Sequence, residues 1–317
     1  MLSPQLTAII RSVSRSFFLS LRFLPAPVRG PISLGYLLAR ASDTIADTAE
    51  RPSAERMDLL DVFRKAASGE AAPDFFEDIR KFAASVNHAG ERSLLERLDE
   101  CLALLASSPP GEAVLIREVL GHILRGQRLD VERFLHPAAL PDAPALEEYT
   151  FLVAGCVGEF WTKVCALRLP SCYRLPEEEM IRHGIRYGQA LQLINILRDQ
   201  PKDMATGRCY LPEIELRAAG LESLAWPSEN WPAWHAVRHR WTSIAREHLH
   251  AARLYIRALD SLRLRFATLM PLLIGEATLD LLDAQLKDQP PSAVKISRRE
   301  VRLKVGRALW LALRGQA

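Results

Sequence analysis

A chain of 317 residues with 49% apolar and 25% charged side chains can bury a large core and sits near the upper limit for a single one. A net charge of +3 is too small to argue for a nucleic-acid partner, and the composition excludes disorder, collagen and repeat arrays. Apolar residues recur at helical spacing almost throughout, and long alternating Val/Ile/Thr runs are absent, so the expected class is all-α.

In chain order, helices are expected at about 29–48, 53–68, 74–87, 91–107, 111–135, 145–169, 176–200, 231–260, 263–287 and 298–314. Prolines punctuate them at Pro25 and Pro27, Pro109 and Pro110, 137–144, and Pro290 and Pro291. Pro176 followed by Glu177, Glu178 and Glu179 places a proline and acids in a first turn. Ser297 with Glu300 has the spacing of a capping box. The stretch 222–232, with Trp226, Pro227, Trp231 and Pro232, reads as a loop with aromatic anchors. No composition shift divides the chain, so one helical domain over 1–317 is expected.

The five cysteines form no C-x-x-C pair, which argues against a disulfide framework or structural zinc and for a reducing, cytoplasmic compartment. Residues 1–21 carry Arg11 and Arg15 and no apolar run before a cleavage site, so no signal peptide is expected. The most apolar stretch, 266–282, contains Pro271, Glu276 and Asp280, so no membrane-spanning helix is expected there. No G-x-G-x-x-G follows a strand, which leaves a Rossmann cofactor domain without support.

Two segments carry chemistry. At ~100° per residue, Arg40, Asp43 and Asp47 fall on one helical stripe. Gln192, Asn195 and Asp199 repeat those offsets, and Asp203 continues the second stripe. Carboxylates four residues apart repel by roughly 3 kcal/mol at ~6 Å and an effective dielectric of ~20. A lone pair of this kind is usually a solvated helix face. These two have apolar neighbours, including Ile45, Ile194, Ile196 and Leu197, and such a stripe facing a cavity would be relieved by a hard cation. Mg²⁺ takes one or two carboxylates and fills its octahedron with water and phosphate oxygens, so the pairs could hold a diphosphate. Arg40, Arg198, Lys202 and Arg208 stand nearby as cations. His235 and His239 have zinc-like spacing, but no third ligand accompanies them. Gly155 and Gly158 read as helix-packing glycines.

The full strings decide between these readings. Ser14, Ser16 and Phe17 form S-x-S-F, and Tyr149 with Val153, Ala154, Gly155, Val157 and Gly158 forms Y-x-x-x-V-A-G-x-V-G. The string from Gln192 to Asp203 is followed by Gly207, Arg208, Tyr210, Leu211 and Pro212 as G-R-x-Y-L-P. In this order, over residues 12–212 and more weakly through Lys295, the chain resembles the squalene and phytoene synthases, the bacterial squalene synthases most.

That resemblance implies an isoprenoid synthase fold, a helical bundle around a central cavity. It implies metal binding by Asp43, Asp47, Asn195, Asp199 and Asp203, and substrate binding by Ser14, Ser16, Phe17, Arg40, Gln192, Asn195, Arg198, Arg208, Tyr210 and Lys295. Tyr149 would lie beside the reacting carbons. The implied reaction joins two farnesyl diphosphates head to head through a cyclopropyl diphosphate, with Mg²⁺, and reduces the product to squalene with NADPH. Phytoene, dehydrosqualene or the cyclopropyl diphosphate itself are the alternative products, and an inactive assembly subunit is the remote one. The sequence leaves prenyl chain length open, and also the choice between monomer and homodimer.

Ala46 and Lys202 stand where acid-rich versions carry a further carboxylate. Pro201, between Asp199 and Asp203, implies a kink or helix end. The basic amphipathic pattern of 298–314 allows peripheral association with the inner face of a membrane.

Overall fold

The computed structural model describes residues 2–14, 17–221 and 230–316. Ser3 accepts from the Leu6 amide at 3.2 Å and Pro4 opens α1 (Pro4–Val13), a position where its missing N–H is no loss. α2 (Phe17–Phe23), α3 (Ala26–Asp47), α4 (Ser53–Ala67), α5 (Phe75–Ala83), α6 (Ala89–Glu96), α7 (Leu98–Ala106) and α8 (Pro110–Arg133) follow. A short strand β1 (Ala138–Leu140) precedes α9 (Ala143–Thr150), a π-helical turn (Phe151–Gly155) and α10 (Cys156–Arg168). The chain then forms α11 (Glu177–Ala205), β2 (Arg208–Pro212), α12 (Glu213–Ala218), α13 (Trp231–Arg257), α14 (Leu262–Asp283) and α15 (Arg298–Arg314). β1 and β2 pair in parallel, with Ala138 opposite Arg208. The class is all-α, as the periodicity requires.

The chain forms two compact units, each assembled from two stretches: Met1–Glu132 with Phe160–Cys172, and Arg133–Glu159 with Tyr173–Ala317. In the first, α3 packs on α4, α6 and α7, and Leu37, Leu38, Ile45, Phe63 and Phe82 are fully buried. In the second, α11 packs on α13, α14 and the π-helical turn, around Trp234, Trp241 and Tyr255. The continuous helical run Ala143–Arg168 is long and apolar enough to cross a bilayer, a feature the sequence reading passed over; half of its apolar window is buried inside the protein. That is how a core helix passes the same test.

Two backbone approaches fix the second unit. A Cβ on Gly158 would lie 1.9 Å from the Gly184 carbonyl oxygen, and one on Gly188 would lie 2.0 Å from that of Ala154. Only glycine lets the V-A-G-x-V-G segment touch α11 backbone to backbone. The packing role expected of Gly158 is therefore what the structure shows.

Several elements differ from expectation. The helix expected at 91–107 is two, because Arg97 leaves the helical region at φ −114°, ψ 22°. α1, α2 and α12 are short helices whose few turns carry too little periodicity to be read. The loop expected at 222–232 lies mostly outside the described residues; Trp231 and Pro232 instead open α13 behind the Asn230 cap. Pro176 is the N-cap of α11, one position before the expected first turn, while the capping box of Ser297 and Glu300 is present. Pro201 does not end its helix. α11 runs on to Ala205, since Leu197, Gln200 and Met204 are buried on either side and tertiary packing outweighs the lost hydrogen bond.

Gly158→Ala should lower the unfolding free energy by about 2–3 kcal/mol through overpacking against fixed backbone. Gly121→Ala, also in a helix but with nothing within 4 Å of the added Cβ, should be neutral or slightly stabilising. Urea titrations of both check this; equal effects would remove the close-approach argument.

Candidate active site

In the first unit, one face of α3 carries Tyr36, Arg40, Asp43 and Asp47 in sequence, at helical spacing. Phe17 opens α2 with its ring 5.3 Å from that of Tyr36, whose hydroxyl donates to the Val13 carbonyl at 3.1 Å. Ser14 caps α1; it is buried and its hydroxyl donates back to the Ile10 carbonyl. Ser16 lies outside the described residues.

Arg40 hydrogen-bonds Glu91 and stands 3.9 Å from Asp43. Burial pulls its guanidinium pKa down, but Glu91 and Asp43 outweigh this and hold it above the ordinary value. The Gln127 side-chain amide, on α8, donates to Asp43. Asp43 is pushed up to about 7, first by burial and then by Asp47, against the opposing pull of Arg40 and Gln127. Gln127 is itself buried and its Oε1 has no hydrogen-bond partner. Neither Glu91 nor Gln127 was read from the sequence. The signal for Gln127 was present: it shares the buried stripe of Ile123, Leu124 and Val131, where a polar side chain needs a reason.

In the second unit, α11 presents Gln192, Asn195, Asp199 and Asp203 on one face, all half-buried. Arg198 grips Asp199 through two bonds of 2.8 and 2.6 Å, and that hydrogen bonding raises its pKa. The chain leaves α11 through Gly207, at φ +78°, into β2. There Tyr210 stacks on Tyr149 with ring centroids 5.0 Å apart, and Phe134 meets Tyr210 edge-on at 5.1 Å. Arg208 lies over the Phe134 ring. Tyr149 lies in the last turn of α9, separated by Thr150 from the π-helical turn, a distortion common at functional sites. Lys295 is exposed, and among the described residues no hydrogen bond or ion pair joins it to α11.

Among the described residues no group of three or more His, Cys, Asp or Glu side chains could hold a metal unaided. The unpartnered Gln127 Oε1 beside Asp43 leaves an acceptor suited to a metal-bound water. His235 is buried, 2.8 Å from the Gln289 carbonyl, a packed histidine rather than a ligand. One cavity of about 970 Å³ opens among α1, α2, the first half of α3, α7 and α8. Ile10, Phe18, Leu21, Leu34 and Leu104 line it; the acid pairs and Phe17 do not.

The described chain is helical apart from one two-stranded sheet, and each of two long helices bears an acid pair and a guanidinium. The family model described as squalene/phytoene synthase matches residues 10–300, and the chain belongs to that family, whose members are prenyl transferases. It is 29% identical over 220 residues to a presqualene diphosphate synthase of Zymomonas mobilis, covering 66% of this chain and 60% of that one. It is 29% identical over 217 residues to a bifunctional lycopene cyclase/phytoene synthase of Blakeslea trispora, covering 68% of this chain and 33% of that one. The chain thus matches less than two thirds of the length of these relatives. A solved complex of TcSQS with a ligand shares the fold, at a TM-score of 0.78 and 20% identity over 98% of this chain and 89% of that one.

The raised pKa of Asp43 has a sign that can be tested. Its native carboxyl holds a proton from its ordinary range up to about 7 that the unfolded chain has already lost, so it weakens the fold as pH rises through this window. In metal-free protein, Asp43→Asn should be more favourable relative to wild type at pH 8 than at pH 5. Urea unfolding at both values measures it; no difference would mean the carboxyl is well solvated.

Proposed function

We propose that this chain joins two prenyl diphosphates head to head, taking farnesyl diphosphate at least as far as a cyclopropyl diphosphate. The observation that carries the reading is the repeated constellation of carboxylate pair and guanidinium: Asp43, Asp47 and Arg40 on α3, and Asp199, Asp203 and Arg198 on α11. Mg²⁺ bound there would neutralise a leaving diphosphate and lower the barrier to its departure. The residues supply the rest. Asp43 and Asp47 would hold the cation as carboxylates, its charge offsetting their mutual repulsion. Arg198, now bidentate to Asp199, is placed to turn to phosphate oxygens once that carboxylate is engaged. Arg208, in β2 after α11, lies over the Phe134 ring and adds a further guanidinium to this unit.

Ionisation leaves an allylic cation, which the double bond of the second substrate attacks; loss of a proton closes the cyclopropane. The stacked Tyr149 and Tyr210 supply electron-rich faces that favour a cation, and the Tyr149 hydroxyl is the candidate group to relay that proton. The apolar cavity among α1, α2 and α3, lined by Ile10, Phe18, Leu21 and Leu34, suits a hydrocarbon occupant.

The name of the Zymomonas mobilis relative supports the cyclopropyl stage, and that of the Blakeslea trispora relative keeps a phytoene-type product in view. Among the described residues the only sheet has two strands, so there is no Rossmann unit, and no residue set is assigned to NADPH. Reduction to squalene is therefore decided by product.

With farnesyl diphosphate and Mg²⁺, extraction should recover the cyclopropyl diphosphate, and added NADPH should convert it to squalene if this chain also reduces. An unchanged hydrocarbon in both arms points to a dehydrosqualene-type enzyme, and preference for the C20 substrate to a phytoene-type one. Asp43→Asn and Asp199→Asn should each reduce Mg²⁺-dependent diphosphate release by about a hundredfold or more while the protein stays folded. Near-normal release in both would refute the site.

A further inference from the structure

α15 presents an outward surface that the proposed reaction does not use. Its buried residues are Ala308, Leu311 and Ala312, which face α14, where Arg265 donates to the Ala312 carbonyl at 3.2 Å. At ~100° per residue, the opposite half of the helix carries Arg299, Arg302, Leu303, Arg307, Trp310, Leu313 and Arg314. All are exposed, Leu303 and Leu313 at 65% and Trp310 at 49%. With Leu309, this one helix holds four of the twelve exposed large apolar side chains among the described residues. Water is a poor solvent for such a cluster, and it calls for a partner.

The charges say which. None of Arg299, Arg302, Arg307 and Arg314 forms an ion pair with a carboxylate among the described residues. The helix's single acid, Glu300, is held in the capping box at its N-terminus. Arg314 lies 4.1 Å over the Trp310 ring, so an apolar anchor and a cation share one spot. Leucines and a tryptophan interleaved with arginines on one arc match the headgroup boundary of a bilayer, where the rings and leucines enter and guanidinium groups reach phosphates. A nucleic-acid surface would use the cations but leave the leucines wet. With 17 residues the helix is about 25 Å long and too charged to span. It lies flat.

We propose that the outward face of α15 docks this protein on an anionic lipid bilayer. This stands independently of the reaction proposed above, because its readout is binding rather than turnover.

The test is flotation of the full chain with vesicles of phosphatidylcholine alone or with about a third phosphatidylglycerol, at about 50 and 500 mM salt. Binding to the anionic vesicles at low salt, its loss at high salt, and a blue shift of Trp310 fluorescence that Trp310→Ala removes are expected. The triple variant Arg299→Glu, Arg302→Glu, Arg307→Glu should bind roughly a hundredfold more weakly. Leu303→Ser with Leu313→Ser should also weaken binding, with thermal unfolding unchanged in both since these side chains face outward. The proposal fails if the wild type stays with the lipid-free fraction, if it binds neutral vesicles equally, or if the triple variant floats as well as the wild type. It fails too if the leucine pair instead governs a concentration-dependent self-association that persists without lipid.

Discussion

Two carboxylates one helical turn apart, Asp43 half-buried and Asp47 exposed, set the terms for the first half of this site. Asp43 cannot ionise freely beside Asp47, and two neighbours act on it. Arg40 lies at 3.9 Å, and Gln127 donates a hydrogen bond. Neither fully neutralises Asp43, because Arg40 is shared with Glu91 and Gln127 is uncharged. Asp43 is pushed up to about 7, where a divalent cation, if bound, would compete with the proton for it.

The second half solves the same problem differently. Asp199 is gripped by the adjacent Arg198 through two bonds, and both side chains remain partly exposed. Such a pair contributes little to stability in contact with water. It does keep a guanidinium beside a carboxylate until something more highly charged arrives. The two helices thus bear the same residue types with different local electrostatics. Equal offsets in a sequence do not imply equal environments.

Much of this was legible in advance, for physical reasons. Long amphipathic helices announce themselves by period, and α3, α8, α11 and α15 begin and end within a few residues of where capping, prolines and apolar spacing put them. The carboxylate stripes were readable because a helix fixes which residues share a face. What escaped was set by tertiary contact. Gln127 and Glu91 reach Asp43 and Arg40 from helices distant in sequence. Pro201 reads as a kink or a helix end by its local chemistry, and burial on both sides carries α11 on through it to Ala205. The parallel pairing of β1 and β2 joins residues about 70 apart through strands too short to show alternation.

The glycine contacts explain why the second motif needs so much of its string. Gly158 against Gly184 and Gly188 against Ala154 hold the helical run containing the π-helical turn directly on α11, at a separation no side chain would permit. The extra residue of the π-helical turn shifts the phase of the helix between Tyr149 and the glycines. Tyr149 is thereby turned toward Tyr210, which arrives from the far end of α11 through Gly207 and β2. One helix then carries the acid stripe, receives the glycine contact and delivers the second tyrosine. A change that loosened the glycine seam would move the aromatic pair relative to Asp199 and Asp203 without touching any of them, so residues with no chemistry of their own fix the position of those that have it.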